Sequence, residues 1–108
     1  MTKFSCPYLG GEVDLSDERE QHIAEHHPDL LPDHKARIGD TLADPDQVRR
    51  SKRFGNARLF AKWYDDLVQG KHLVVVVVSE AEPRSRNWIV TAYMTKKIAE
   101  GDEEWKRN

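Results

Sequence analysis

Residues 73–78 read Leu73-Val74-Val75-Val76-Val77-Val78. Successive side chains of a strand point to opposite faces, so this run puts β-branched groups on both. It is therefore read as a central strand, covered on both sides at least in part. The rest of the fold follows from what must lie beside it. Downstream, residues 79–87 form a polar loop with Pro83 and two arginines. Residues 88–95 make the last strand, alternating Trp88, Val90, Ala92 and Met94 against Ile89, Thr91, Tyr93 and Thr95. Upstream, residues 48–53 make a first strand and Phe54-Gly55-Asn56 a tight turn. Residues 57–64 make a second strand, with Leu59, Ala61 and Trp63 on one face and Phe60, Lys62 and Tyr64 on the other.

The N-terminal part has helical signals. Ser16 is a good N-cap, and Asp17, Glu18 and Glu20 suit the positive end of a helix over residues 17–27, which Pro28 stops. Asp33 is read as a second N-cap. The helix after it presents Ile38 and Leu42 one turn apart and ends at Asp44-Pro45-Asp46. Both helices are too short to stand alone. Residues 1–11 read as turn-rich, Val13 and Leu15 as a short strand or anchor, and residues 97–108 as a frayed tail. The expected fold is α+β, with two N-terminal helices packed on one face of a four-stranded antiparallel sheet. Its opposite face would carry Lys62, Tyr64, Thr91, Tyr93 and Thr95. Trp63 and Trp88 are read as core.

At 108 residues the chain fits one domain, with a core over about 13–96. The net charge is −2, but residues 12–46 hold eleven acids and three bases, whereas residues 47–64 hold six bases and no acid. That polarity allows a local anion-binding surface, or two halves that neutralise each other. One cysteine, Cys6, cannot form an internal disulfide, no signal peptide is evident, and the longest apolar run is too short to span a bilayer. The expected setting is cytoplasmic, without membrane association. No glycine-rich phosphate loop or other cofactor motif is present, so no cofactor is expected.

Three of the five histidines cluster at His22, His26 and His27, where Pro28 makes a helix rim. His22-x-x-Glu25-His26 has the spacing of an inverted zinc-peptidase motif, but that chemistry needs a third ligand and a larger fold. A metal-free reading uses other partners. Cleavage of RNA by its own 2′-hydroxyl needs a proton acceptor, a donor and positive charge on the phosphate. His27, the hydroxyls of Tyr93 and Thr91, and Lys62 fill those roles, with Arg50 and Arg58 as further cations. Phe60, Tyr64 and Tyr93 are candidates for stacking on bases. Each has a duller alternative: His27 as a hydrogen-bonded residue at the core edge, Thr91 and Tyr93 as ordinary strand residues, Lys62 neutralising an acid on a helix. His34 and His72 receive no role.

In order along the chain stand His22-Ile23-x-x-x-His27-Pro28, Leu42-Ala43-Asp44-Pro45-Asp46-x-Val48, Arg58-Leu59-Phe60, the strand at Val74, and Thr91-Ala92-Tyr93. This series resembles the phage- and mobile-element-associated bacterial domains of the barnase–EndoU–colicin E5/D–RelE-like nuclease superfamily, over about residues 15–95. The resemblance implies helices before a four-stranded antiparallel sheet and metal-independent RNA cleavage of toxin type. It points to His27 as acid or base and to Thr91 and Tyr93 on the last strand, with His22 a weaker match. His26, Arg50, Arg58 and Tyr64 complete the expected substrate contacts. RNA is the expected partner, with an immunity- or antitoxin-like protein as a second. The alternative is a non-catalytic RNA- or protein-binding domain on the same fold.

Overall fold

The computed structural model describes residues 1–67, 69–82, 84–98 and 100–107. The valine run lies in a ten-residue strand, Lys71–Glu80, at the middle of a seven-stranded sheet. In chain order the elements are β1 (Thr2–Cys6), a 3-10 turn at Pro7–Leu9, β2 (Gly11–Leu15), α1 (Asp17–His26) and α2 (Lys35–Ala43). Then come β3 (Gln47–Arg50), β4 (Ala57–Tyr64), β5 (Lys71–Glu80), β6 (Arg86–Thr95) and β7 (Asp102–Lys106). Across the sheet the order is β1-β2-β6-β5-β4-β3-β7. Every pairing is antiparallel except β2 with β6, which run parallel at Asp14 opposite Trp88.

Alternation along β5 splits the core in two. Leu73, Val75 and Val77 face the helices and join Val13, Leu15, Ile23, Leu30, Leu31, Ile38, Leu42, Phe60 and Ala92 in the main core. Val74 and Val76 face the other way, where a thinner layer collects Leu59, Ala61, Tyr93 and Ile98. Burying each Val or Leu contributes about 1.5–3 kcal/mol, so the helix side carries most of the stability. α1 begins as its sequence dictates: the Ser16 hydroxyl accepts the Arg19 backbone N–H at 3.1 Å. Its last turn closes at His27, whose N–H donates to the Ile23 carbonyl at 2.7 Å. α2 starts at Lys35, with no side-chain cap from His34, rather than on Asp33. No helix among the described residues is long and apolar enough to cross a membrane.

The expected two helices on a four-stranded antiparallel sheet are therefore corrected to a seven-stranded mixed sheet with two short helices. β3 to β6 do form the antiparallel meander read from the sequence. What pattern reading lost is β1 and β7, whereas β2 falls where Val13 and Leu15 read as a short strand or anchor. β1 is a five-residue strand that pairs with β2 through Cys6 opposite Gly11, closed by Gly10 at φ +70°. Its breakers at Cys6-Pro7 and Gly10-Gly11 are the hairpin, not a loop. β7 has five exposed residues and no apolar alternation. Backbone pairing with β3 and ion pairs hold it, which hydrophobic periodicity cannot report.

Two face assignments also change. Trp63, read as core, is 40% exposed, and Phe60, read as a candidate for base stacking, is fully buried. Lys62 and Tyr64 share the helix side with Phe60, whereas Thr91 and Tyr93 lie on the opposite face, across from Val76 and Val74. Along β6 the simple alternation breaks at a bulge: Val76 pairs with Thr91 but Val77 with Ile89, so Val90 is extra. That one residue lets Ile89 and Ala92 both reach the main core. Of the polar loop read over 79–87, much is strand, and Pro83 lies outside the described residues.

Gly70 is fixed by its neighbour. Its φ is +66°, and a Cβ there would come within 2.3 Å of the Trp63 ring. Gly70→Ala should cost about 1–2 kcal/mol from the left-handed backbone alone. It should also push the Trp63 indole outward, which a shift in tryptophan emission together with a lower urea midpoint would report.

Candidate functional site

On the face away from the helices Leu59, Ala61 and Val74 are buried with Ile98, and a groove of about 420 Å³ opens beside them. Its floor is Ala57 and Leu59 of β4, Val76 and Val78 of β5, and Val90, Thr91 and Tyr93 of β6. The wall is the β3–β4 turn, with Ser51, Arg53, Phe54 and Asn56, and Glu100 closes one side. The turn is built by Ser51, whose side-chain oxygen accepts the backbone N–H groups of Arg53 and Phe54 at 3.2 and 3.3 Å. This holds Phe54 out at 61% exposure, with the Arg53 guanidinium 6.0 Å from its ring centre. An apolar trough with an aromatic lip and a few polar groups suits a planar ligand.

Tyr93 lines this groove, whereas His27 does not. Burial pushes the Tyr93 phenol pKa up, and the Glu100 carboxylate adds to that, so the hydroxyl keeps its proton and donates. Half-buried His27 stands beside it, the two ring centres 6.2 Å apart and tilted by 38°. The ordering of His27 is local. Its carbonyl accepts from Leu30 and Leu31, turning the chain sharply after α1. His27, Tyr93 and Thr91 are thus the expected site residues that the fold brings together.

The others lie elsewhere. His22 and His26 are exposed on α1, their rings 4.2 Å apart, and His26 Nδ1 donates to the His22 carbonyl at 2.9 Å. Among the described residues no three His, Cys, Asp or Glu side chains are placed to hold a metal ion together, so the zinc spacing finds no third ligand. Lys62 is on the helix side and donates to the Asp44 carbonyl at 2.9 Å and carboxylate at 3.3 Å. Tyr64 is also tied up there, its hydroxyl donating to the Arg37 carbonyl at 3.1 Å while the Arg37 guanidinium lies 4.8 Å from its ring centre.

Arg50 and Arg58 meet on the helix side at one carboxylate. Glu104 accepts from Arg50 Nε at 2.9 Å, Arg58 Nε at 2.8 Å and the Tyr8 hydroxyl at 2.7 Å. Burial raises the Glu104 pKa, but these three hydrogen bonds and the Arg58 charge outweigh it and lower the pKa from 4.5 to about 2. A carboxylate depressed on folding stabilises the fold above its unfolded value and loses that contribution as pH falls toward the folded one. Between pH 4.5 and 2 the wild type should therefore lose more stability than Glu104→Gln. Thermal unfolding of both proteins from pH 6 downward checks this, and parallel curves would contradict it.

Sequence reading missed Ser51, Arg53, Phe54, Asn56 and Glu100. The available signal was Phe54, a large apolar residue inside a tight turn flanked by charges. No protein-family model matches the chain, and neither a curated protein nor a solved structure matches it significantly.

Proposed function

We propose that the chain is a metal-independent endoribonuclease of toxin or mobile-element type, acting on RNA laid across the open groove in a cytoplasmic setting. The observation that supports this reading is the placement of His27 beside Tyr93, a residue that lines the groove. In the reaction the ribose 2′-oxygen attacks its own phosphorus, the P–O2′ bond forms and the P–O5′ bond breaks. His27 takes the 2′-hydroxyl proton, Tyr93 hydrogen-bonds to the phosphate, and Thr91 orients it. The leaving 5′-oxygen takes a proton from water as the P–O5′ bond breaks, and His27, then protonated, returns its proton to the 2′-oxygen when the cyclic phosphate is hydrolysed. Phe54 and Tyr93 supply ring faces for unpaired bases, which favours single-stranded RNA. A cell making such an enzyme needs a protein that covers the groove, the immunity-type partner.

One observation favours a second reading, RNA recognition without cleavage. Lys62, Arg50 and Arg58, the cations expected on the phosphate, are paired to Asp44 and Glu104 on the opposite side of the sheet. The test incubates the purified chain with mixed single-stranded RNA in EDTA and resolves the products on a gel. Fragments ending in 2′,3′-cyclic phosphate are expected. Intact RNA retained in a mobility-shift lane would overturn catalysis in favour of binding.

A further inference from the structure

Arg50 and Arg58 are direct cross-strand partners, one on β3 and one on β4. Like charges placed opposite each other destabilise a sheet unless an anion lies between them. Here the anion is the Glu104 carboxylate, and both of its oxygens are occupied. Arg50 holds one, at 2.8–2.9 Å, while Arg58 and Tyr8 share the other, at 2.7–2.8 Å.

Two of the three donors have side-chain supports besides Glu104, and the third stands on a central strand. Tyr8 sits edge-on against buried Phe60, with ring centres 5.8 Å apart. Arg50 is pinned from behind by a second hydrogen bond, to the Gly55 carbonyl. Arg58 rises from β4, which is paired on both sides by β3 and β5. The occupant, by contrast, arrives on β7, an edge strand whose residues are all exposed and whose pairing to β3 is interrupted between Val48 and Arg49. Such a strand opens at lower cost than the sheet interior. Asp102 of the same strand lies 3.5 Å from Lys52. An acidic strand thus covers the basic segment of the chain, as a polyanion would.

We infer that Tyr8, Arg50 and Arg58 form an oxyanion site for a phosphate group, held shut by Glu104 as an internal carboxylate occupant. Two guanidinium groups and a phenol match the acceptor geometry of a phosphate, which guanidinium binds through paired N–H bonds. The site lies on the opposite face of β4 from the groove and does not depend on the chemistry proposed there.

The test compares wild type, Glu104→Ala and Glu104→Gln, each checked by circular dichroism, in titrations with inorganic phosphate and with a short single-stranded oligoribonucleotide. Glu104→Ala should bind inorganic phosphate at least about tenfold more tightly than wild type and recover thermal stability as phosphate is added. Adding Arg58→Gln to Glu104→Ala should remove that gain, which a loss of packing alone would not do. A gain for the oligoribonucleotide larger than for phosphate assigns the site to the nucleic-acid backbone. A gain for phosphate alone assigns it to a free or terminal phosphate. If Glu104→Ala and Glu104→Gln fold and neither ligand binds more tightly, or the gain survives Arg58→Gln, the inference fails. Glu104→Gln keeps the test open should the alanine variant not fold.

Discussion

His27→Ala should reduce the rate of RNA cleavage in EDTA by about 10²–10⁴-fold, the usual loss when a positioned acid or base is removed. The variant should keep its fold, because among the described residues the His27 side chain makes no hydrogen bond on which the end of α1 depends. What closes that turn is backbone: the 27 N–H to Ile23 and the 27 carbonyl to Leu30 and Leu31, all of which alanine retains. Tyr93→Phe removes the hydroxyl and keeps the ring against His27 and the groove floor. It should slow cleavage less than His27→Ala and leave oligonucleotide affinity nearly unchanged. Phe54→Ala should do the reverse, weakening affinity through the lost stacking face, about 1–3 kcal/mol, while the rate at saturation stays close to wild type. Single-turnover rates and fluorescence-anisotropy binding on the same four proteins separate these outcomes. If His27→Ala cleaves at the wild-type rate, the proton at this rim is not the one that matters.

The contrast among these residues follows from what sequence can and cannot express. The meander of β3 to β6 was legible because Val74 to Val78 and the alternation of β4 encode it through burial. The Ser16 cap and the stop before Pro28 were legible because capping is local chemistry. Which face of β4 is covered was not legible. Phe60, Lys62 and Tyr64 alternate correctly, yet whether that set meets helices or solvent depends on α2, where the Arg37 carbonyl accepts from the Tyr64 hydroxyl and the buried Thr41 hydroxyl lies 3.2 Å from it. The expected site divides for that reason: Lys62 and Tyr64 go to the helix side and Thr91 and Tyr93 to the open one. β7 was invisible for a different reason. Its place is set by Glu104 meeting Arg50 and Arg58, 54 and 46 residues away, and by Arg107 reaching Asp44 and Asp46. Long-range charge pairing leaves no periodic trace.

Phe60→Ala should lower the free energy of unfolding by about 3–5 kcal/mol, the cost of truncating a fully enclosed phenyl ring. Phe60 has no exposed surface, and it stands where three parts of the structure meet. Through Val48 it joins β4 to β3, through Val75 it joins β4 to β5, and its ring stands perpendicular to that of Tyr8 beyond the β1 strand. The cavity cannot easily collapse, because the flanking Val48 and Val75 sit on strands held by their own ladders. A domain of this size has about 5–15 kcal/mol in total, so the loss approaches global unfolding. Truncating Val76 on the groove floor to alanine should cost much less, since its side chain is only half-buried and it packs against the smaller of the two core clusters. Urea unfolding of the two variants tests the asymmetry of the two faces directly. Equal losses would mean that the open face is covered in solution, and the groove would then no longer be free to take RNA.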